Sequence, residues 1–458
     1  MGRLFFFITC LTIITSASVY AQEPQQKLPE KTRILFMLDG SGSMLAKWGD
    51  TNRITAAKKL LAETVDSLAI NENLELALRV YGHQFERYLK RCNDSKLEVP
   101  FRKGNQQDIK NKLREIRPKG TTPIAYSLEQ AGGDFPEGDA RNIIIIITDG
   151  IESCDGDPCA VSLALQKKNI FLKPFIIGIG MDKKFEDAFG CMGAFYDASN
   201  IYAFRNALKS ALFQSLEETS VSVELLDTNG QPEVTDINVS FINSFTKSSA
   251  FEFVHYRDEQ GQPDSVEVDP VLIYDVVVNT IPPVIRSNVA FKAGEHNVIK
   301  IPAPQCIVKV TQPGHTEYPD GVQVLLKDKD NGNLLTHFQV PGEVKMLTGQ
   351  YIVEVLTLPK NTFSIDIREN KTQELILEKP GVVNLLAASY GIASLYKINE
   401  DGTQRWIYNV NRNKLRNTIT LQPGNYKVVF RSVKALGSKY TKVHPFRITP
   451  GSSLNIQL

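Results

Sequence analysis

Apolar positions follow two different rhythms along this chain, and the change falls near Thr219. Before it, short unbroken apolar runs alternate with segments whose apolar residues recur every three or four positions. Ile34-Leu35-Phe36-Met37-Leu38 is a run of the first kind, so Arg33–Leu38 reads as a buried strand. Arg53–Leu68 (RITAAKKLLAETVDSL) has helical spacing. Leu74–Tyr81 reads as a strand. Asn105–Ile116 and Pro123–Ala131 read as helices, the second opened by a proline in its first turn. Ile143-Ile144-Ile145-Ile146-Ile147 is the unbroken β-branched run expected of a central parallel strand covered on both faces. Pro158–Lys168 is expected to be helical, Phe171–Ile179 extended and Ile201–Leu216 helical. This alternation predicts an α/β domain over residues 33–218, built on an open, mostly parallel sheet.

After Thr219 the helical period disappears. Short alternating strands take over, separated by turn pairs such as Asn229-Gly230, Asp320-Gly321, Asn331-Gly332, Asp401-Gly402 and Pro423-Gly424. Three segments echo one another: Ile273–Val278 (IYDVVV), Gln350–Val355 (QYIVEV) and Asn425–Phe430 (NYKVVF). Each is followed by another strand and a closing one, at Asn297–Ile301, Glu374–Leu377 and Leu454–Leu458. The echoed tyrosines recur about every 75 residues, too long for a solenoid repeat and suited to small sandwiches in tandem. Three all-β, sandwich-like domains are therefore expected, over 219–303, 304–379 and 380–458.

The N-terminus carries a basic Met1-Gly2-Arg3, an apolar core from Leu4 to Ile14, and small residues in Val19-Tyr20-Ala21. That pattern is a secretory signal peptide over residues 1–21, followed by a polar, proline-bearing linker over 22–32. Cys10 has no convincing lipobox before it, so no lipid anchor is expected. No later stretch approaches the ~20 apolar residues needed to span a bilayer. The mature protein is expected to be secreted or periplasmic, in the cell envelope. The 458 residues hold 52 basic and 51 acidic side chains, a net charge of +1. With no basic block or aromatic-basic stripe, nucleic acid is not an expected partner.

Oxygen-bearing residues collect at three strand or loop ends of the α/β region. Asp39-Gly40-Ser41-Gly42-Ser43 follows the first strand, and its glycines are expected to turn the backbone and bring three oxygens to one side. Gly120-Thr121-Thr122-Pro123 precedes a helix, and Thr148-Asp149-Gly150 ends the isoleucine strand. In open α/β sheets ligands bind at the carboxyl ends of the strands, and hard divalent cations prefer oxygen ligands.

Asp39-x-Ser41-x-Ser43, Thr122 and Asp149, in that order, resemble the metal-ion-dependent adhesion site of the von Willebrand factor A family. The resemblance covers roughly residues 33–218 and implies a doubly wound fold. Thr122, directly before Pro123, fits the family pattern better than Thr121. The resemblance further implies that Ser41, Ser43 and Thr122 touch a Mg²⁺ (or Mn²⁺ or Ca²⁺) ion directly or through water. Asp39 and Asp149 would bind it or hold its waters. A metal ligated mainly by neutral hydroxyls keeps much of its charge, and in this family it takes an Asp or Glu of a partner protein.

Other chemistry is weaker. Ser41 has no histidine or lysine near it in sequence and lacks a strand–nucleophile–helix elbow, so no enzyme is expected. His83 reads as a loop or rim histidine, and Asp328–Gly332 as a hairpin turn rather than a calcium loop. Asp155 and Asp157 are expected to cap the helix near Pro158. Trp48 suits either a rim contact or a cover over the first helix. The cysteines are not spaced as a zinc site. Cys92, Cys154, Cys159 and Cys191 fall in loops near the metal face, where two disulfides would staple the rim; four cysteines allow three connectivities. Cys306 reads as a buried small hydrophobe. The expected function is non-catalytic, divalent-metal-dependent protein binding. The alternative is an envelope scaffold or a non-catalytic subunit of an envelope complex.

Overall fold

The computed structural model describes residues 31–168, 170, 175–179, 195–198, 200–216, 218–314, 318, 321–369 and 371–458. The proposed signal peptide, most of the linker and Cys191 lie outside the described residues. The chain divides into two compact units that part after Leu212.

The N-terminal unit is an α/β layer structure. Its strands are β1 (Thr32–Asp39), β2 (Leu74–Tyr81), β3 (Ser95–Arg102), β4 (Arg141–Thr148), β5 (Phe175–Ile179) and β6 (Phe195–Ala198). They lie in the order β3-β2-β1-β4-β5-β6. All neighbours are parallel except β2 and β3. The helices are α1 (Arg53–Ser67), α2 (Gln106–Glu115), α3 (Ile124–Ala131), α4 (Pro158–Gln166) and α5 (Ile201–Leu216).

Ile34 to Leu38 and Ile143 to Ile147 have no exposed surface, which is why neither run alternates in polarity. In α1 the buried residues Ile54, Ala57, Leu61 and Val65 make one face, and Asn52 caps its start by accepting the Thr55 amide at 2.9 Å.

One local expectation needs correction, and one strand has no forecast. Pro123 sits at the N-cap of α3 rather than inside its first turn, whereas Pro158 occupies the first turn of α4. Ser95–Arg102 is a strand that the apolar pattern does not announce. It is half-exposed and contains Pro100, and a proline is tolerated there because β3 lies at the sheet edge.

The C-terminal unit repeats one plan three times. Each stretch of chain builds a three-stranded and a four-stranded sheet. The first strand of each stretch is the centre of its three-stranded sheet, with the closing strand parallel beside it: Ser220–Leu226 with His296–Pro302, Gln305–Thr311 with Thr372–Ile376, and Gly381–Leu386 with Ser453–Gln457. The echoed tyrosines lie inward on a four-stranded sheet. Each hydroxyl donates to a carbonyl a few residues upstream: Tyr274 to Asp269 at 3.1 Å, Tyr351 to Leu347 at 2.9 Å and Tyr426 to Gln422 at 2.6 Å. The repeat is thus the recurrence of one buried, hydrogen-bonded corner. Asp328 is part of a hairpin turn, its carboxylate accepting the amides of Asp330 and Asn331. Cys306 is 2% exposed and unpaired; its thiol donates to the Leu347 carbonyl at 3.2 Å, and burial pushes it up to about 11.

Candidate metal centre

The sheet order places a topological switch between β1 and β4. The chain leaves β1 toward β2 on one side and β4 toward β5 on the other, so a crevice opens at their carboxyl ends. Asp39 is the last residue of β1, and Asp149 directly follows β4. Both are buried, Asp39 completely.

Asp39 is fixed on both oxygens. One accepts the Ser41 amide at 2.7 Å and the other the Thr148 hydroxyl at 2.7 Å. The first bond turns the backbone out of the strand and aims the next two serines back at the carboxylate. Gly40 is needed for a different reason than conformational freedom. A Cβ there would lie 2.8 Å from the Tyr81 carbonyl of the adjacent strand. Gly42 carries no such constraint; a Cβ would meet nothing closer than 3.7 Å.

From this turn a chain of oxygens runs across to β4. Ser41 Oγ and Ser43 Oγ are 2.9 Å apart, and Ser43 Oγ donates to Asp149 Oδ1 at 2.8 Å. A magnesium–oxygen distance of about 2.0–2.1 Å gives octahedral edges of about 2.9 Å. These oxygens, now joined by hydrogen bonds of ordinary length, are close enough together to share one such ion. The donor chemistry also suits a hard cation, being hydroxyl and carboxylate throughout. Among the described residues no group of three or more His, Cys, Asp or Glu could hold a metal, so a metal here depends on the hydroxyls.

Thr122 comes in from the third loop. Its amide donates to Ser153 Oγ at 2.8 Å, and its carbonyl accepts the Ser153 amide at 3.1 Å. Its hydroxyl lies 3.9 Å from where a Cβ on Gly150 would stand. Thr121 turns away, its hydroxyl donating to the Arg91 carbonyl at 2.8 Å. The structure thus gathers Asp39, Ser41, Ser43 and Asp149 into one hydrogen-bonded row, and binds the backbone of Thr122 to the loop that follows Asp149.

Electrostatics at this spot are strained. Burial and then the neighbouring charge of Asp149 push Asp39 up to about 6, against the hydrogen bonds from Ser41 and Thr148. Arg53 offsets part of the charge, its Nη1 reaching Asp149 Oδ2 at 2.7 Å. Tyr81, beside Asp39 in register, is fully buried, and its hydroxyl has no hydrogen-bond partner among the described residues. Two buried carboxylates, one guanidinium and an orphaned hydroxyl fit a site built for a further cation.

Several contributors carry no motif of their own. Thr148 orients Asp39. Arg53 stands on the first turn of α1, where helical spacing alone makes it an ordinary surface residue. Glu152 accepts the Ala125 amide at 2.7 Å and the Cys154 amide at 2.8 Å, tying the start of α3 to the loop after Asp149. Asp94, fully buried, accepts the amides of Gln84 and Phe85. The Thr148–Asp39, Arg53–Asp149 and Glu152–Ala125 contacts join segments far apart in sequence, so only the fold reveals them.

Cys92 and Cys154 form a disulfide across 62 residues. It joins the loop between β2 and β3 to the loop after Asp149. Cys159 is also disulfide-bonded, and Cys191 lies outside the described residues. Asp157 caps α4 through the amides of Cys159 and Ala160. Asp155 does not join it and sits in left-handed backbone with φ 57°. Trp48 packs edge-on against Phe204 of α5, ring centres 6.4 Å apart. His83 pairs through Nε2 with Glu98 at 3.0 Å.

Residues 34–152 match the von Willebrand factor type A domain family. Two uncharacterized proteins of Bacillus subtilis (strain 168) are similar in sequence. YwmD is 32% identical over 183 residues, spanning 39% of this chain and 79% of its own length. YwmC is 29% identical over 177 residues, spanning 37% and 75%. The open conformation of the pilus adhesin SpaC from Lactobacillus rhamnosus GG aligns with 92% of this chain and 66% of its own, at 12% identity and a TM-score of 0.34. That likeness is too loose to carry an argument.

Proposed function

We propose, for a chain that belongs through residues 34–152 to the von Willebrand factor type A family, that its work is metal-dependent capture of a protein outside the cytoplasm. Asp39, Ser41, Ser43, Thr122 and Asp149 would hold a Mg²⁺ or Mn²⁺ ion. When bound, that ion supplies a Lewis-acidic position for an Asp or Glu side chain of the partner. Asp39 and Thr148 keep the serine turn in place, and Arg53 holds Asp149 while leaving its Oδ1 to the serine side. The observation that carries this reading is the row of oxygens at 2.8–2.9 Å that ends on a buried carboxylate.

The surroundings suit a protein surface. Leu45, Phe85, Tyr88, Leu89 and Ile151 are exposed on the loops that carry or adjoin the site, Tyr88 by 79%. Apolar and aromatic side chains ringing a polar anchor are what docking interfaces use. The Cys92–Cys154 disulfide and the Glu152 bridge hold those loops to one another, so less order is lost on docking. We read the protein as non-catalytic, because the Ser41 hydroxyl pairs with Ser43 and no histidine or lysine among the described residues is bonded to it. A signal peptide over 1–21 would deliver it to the periplasm or cell surface, with residues 219–303, 304–379 and 380–458 as three β domains.

The test is capture of envelope proteins by the purified chain with Mn²⁺, with chelator, and with Ser41→Ala, beside calorimetry of Mn²⁺ binding. Metal uptake and partner capture should both vanish in the variant. Capture indifferent to chelator would overturn the metal-bridged reading, and turnover of any substrate would overturn the non-catalytic one.

A further inference from the structure

The net charge of +1 hides a steep asymmetry. Residues 380–458 carry eleven Lys and Arg but only two acidic residues, Glu400 and Asp401, a local charge of +9. In the last sandwich the strands run up and down in sequence. Loops 387–390, 410–415 and 433–441 therefore share one end, and loop 399–403, with both acidic residues, lies at the other. The three loops are stitched together. The Ala387 amide donates to the Leu415 carbonyl at 2.9 Å, the Val433 amide to the Tyr390 carbonyl at 3.0 Å, and Ser389 and Ser432 share a hydroxyl bond at 2.7 Å.

This end is apolar at its tip and basic around it. Leu436 is 89% exposed, and Tyr390, Leu415, Val433 and Tyr440 are exposed beside it. Arg412, Lys414, Lys434 and Lys439 are the charged residues of the same loops, all exposed, with no acidic residue among them. The equivalent end of the middle sandwich differs. It is met by the last sandwich through Gln422, which donates to Tyr318 at 2.8 Å, and its loop 356–360 carries one charged residue, Lys360. The basic tip is therefore not a feature of every sandwich end.

We infer that the loop end of the last sandwich docks on a lipid bilayer bearing anionic headgroups. An aliphatic side chain almost wholly in water, set between two lysines and flanked by tyrosines, matches the layering of a membrane interface. The aliphatic tip enters the acyl boundary, the tyrosines sit at headgroup depth, and the lysines pair with phosphates. An acidic polysaccharide would use the charges and the tyrosines but has no use for Leu436. The Coulomb part falls with salt and the apolar part does not.

The experiment is co-sedimentation of the chain from Gln22 onward with phosphatidylcholine vesicles, with and without phosphatidylglycerol. Binding is expected only with phosphatidylglycerol. Lys434→Gln with Lys439→Gln should weaken it roughly 30-fold, at about fivefold per basic residue near the surface. Leu436→Ser should weaken it at least tenfold at high salt, while Glu400→Gln changes nothing. Circular dichroism melting confirms that the variants fold. Failure of the parent chain to bind phosphatidylglycerol vesicles overturns the inference. So does binding that survives both variants, or capture of alginate that depends on the lysines but not on Leu436. None of these outcomes touches the metal centre.

Discussion

Asp39 in the α/β unit and Asp275 in the first sandwich are both buried carboxylates, yet their surroundings act in opposite directions. Burial pulls Asp275 upward, but Lys247, the Asn288 amide and the Ser244 hydroxyl together hold it below its ordinary value. Asp39 has two good hydrogen bonds as well, and burial with Asp149 still drives it up to about 6. The tyrosines repeat the contrast. Tyr274, Tyr351 and Tyr426 each close a hydrogen bond to a carbonyl, whereas Tyr81 beside Asp39 closes none among the described residues. Asp275 and the three corner tyrosines are satisfied within their own sandwiches. The strand-end crevice leaves its groups partly unsatisfied, which is what a site awaiting a ligand does.

This contrast can be broken in several ways. The largest effect should come from reductant. Unit by unit, unfolding in urea should show the α/β unit losing at least about 4 kcal/mol, the share of the Cys92–Cys154 link across 62 residues, because reductant also opens the disulfide of Cys159. The sandwiches should be unmoved, because their cysteine, Cys306, is a buried thiol. Equal loss in both units would refute the division of labour.

Next, Asp39→Asn should reduce Mn²⁺ affinity on the order of 100-fold or more by calorimetry. In chelator it should leave the melting temperature unchanged or raised, because it removes one of two adjacent buried charges. A sharp fall in melting temperature would mean that Asp39 is structural. Asp275→Asn is the counterpart and should cost about 1.5–3 kcal/mol, the range for hydrogen bonds to a charged group. Since the folded value of Asp275 is depressed, its contribution is complete above the unfolded value of 3.8 and is lost as pH falls below it. The smallest effect separates the tyrosines. Tyr426→Phe should cost about 1 kcal/mol of stability in denaturant unfolding, and Tyr81→Phe close to nothing.

Much of this was readable before any coordinates. The isoleucine run named the central strand because burial on both faces removes alternation. The tyrosine echo located the recurring corner because one fold was used three times. Ser95–Arg102 was not readable, since an edge strand with a proline has neither pattern. The basic tip was missed because its residues are spread over three loops and cancel against acidic residues elsewhere in the chain.

Sequence by itself determined the α/β and all-β halves, and it presented Asp39, Ser41, Ser43, Thr122 and Asp149 as one candidate set. Local periodicity and motif order are properties of neighbours in the chain. The tertiary structure decided that Thr148 and Arg53 orient the two carboxylates, that Cys92 pairs with Cys154, and that the Tyr81 hydroxyl is left without a partner among the described residues. It also decided that three separate loops share one basic, apolar end. Those facts depend on which strand ends lie side by side, and only sheet order and register settle that.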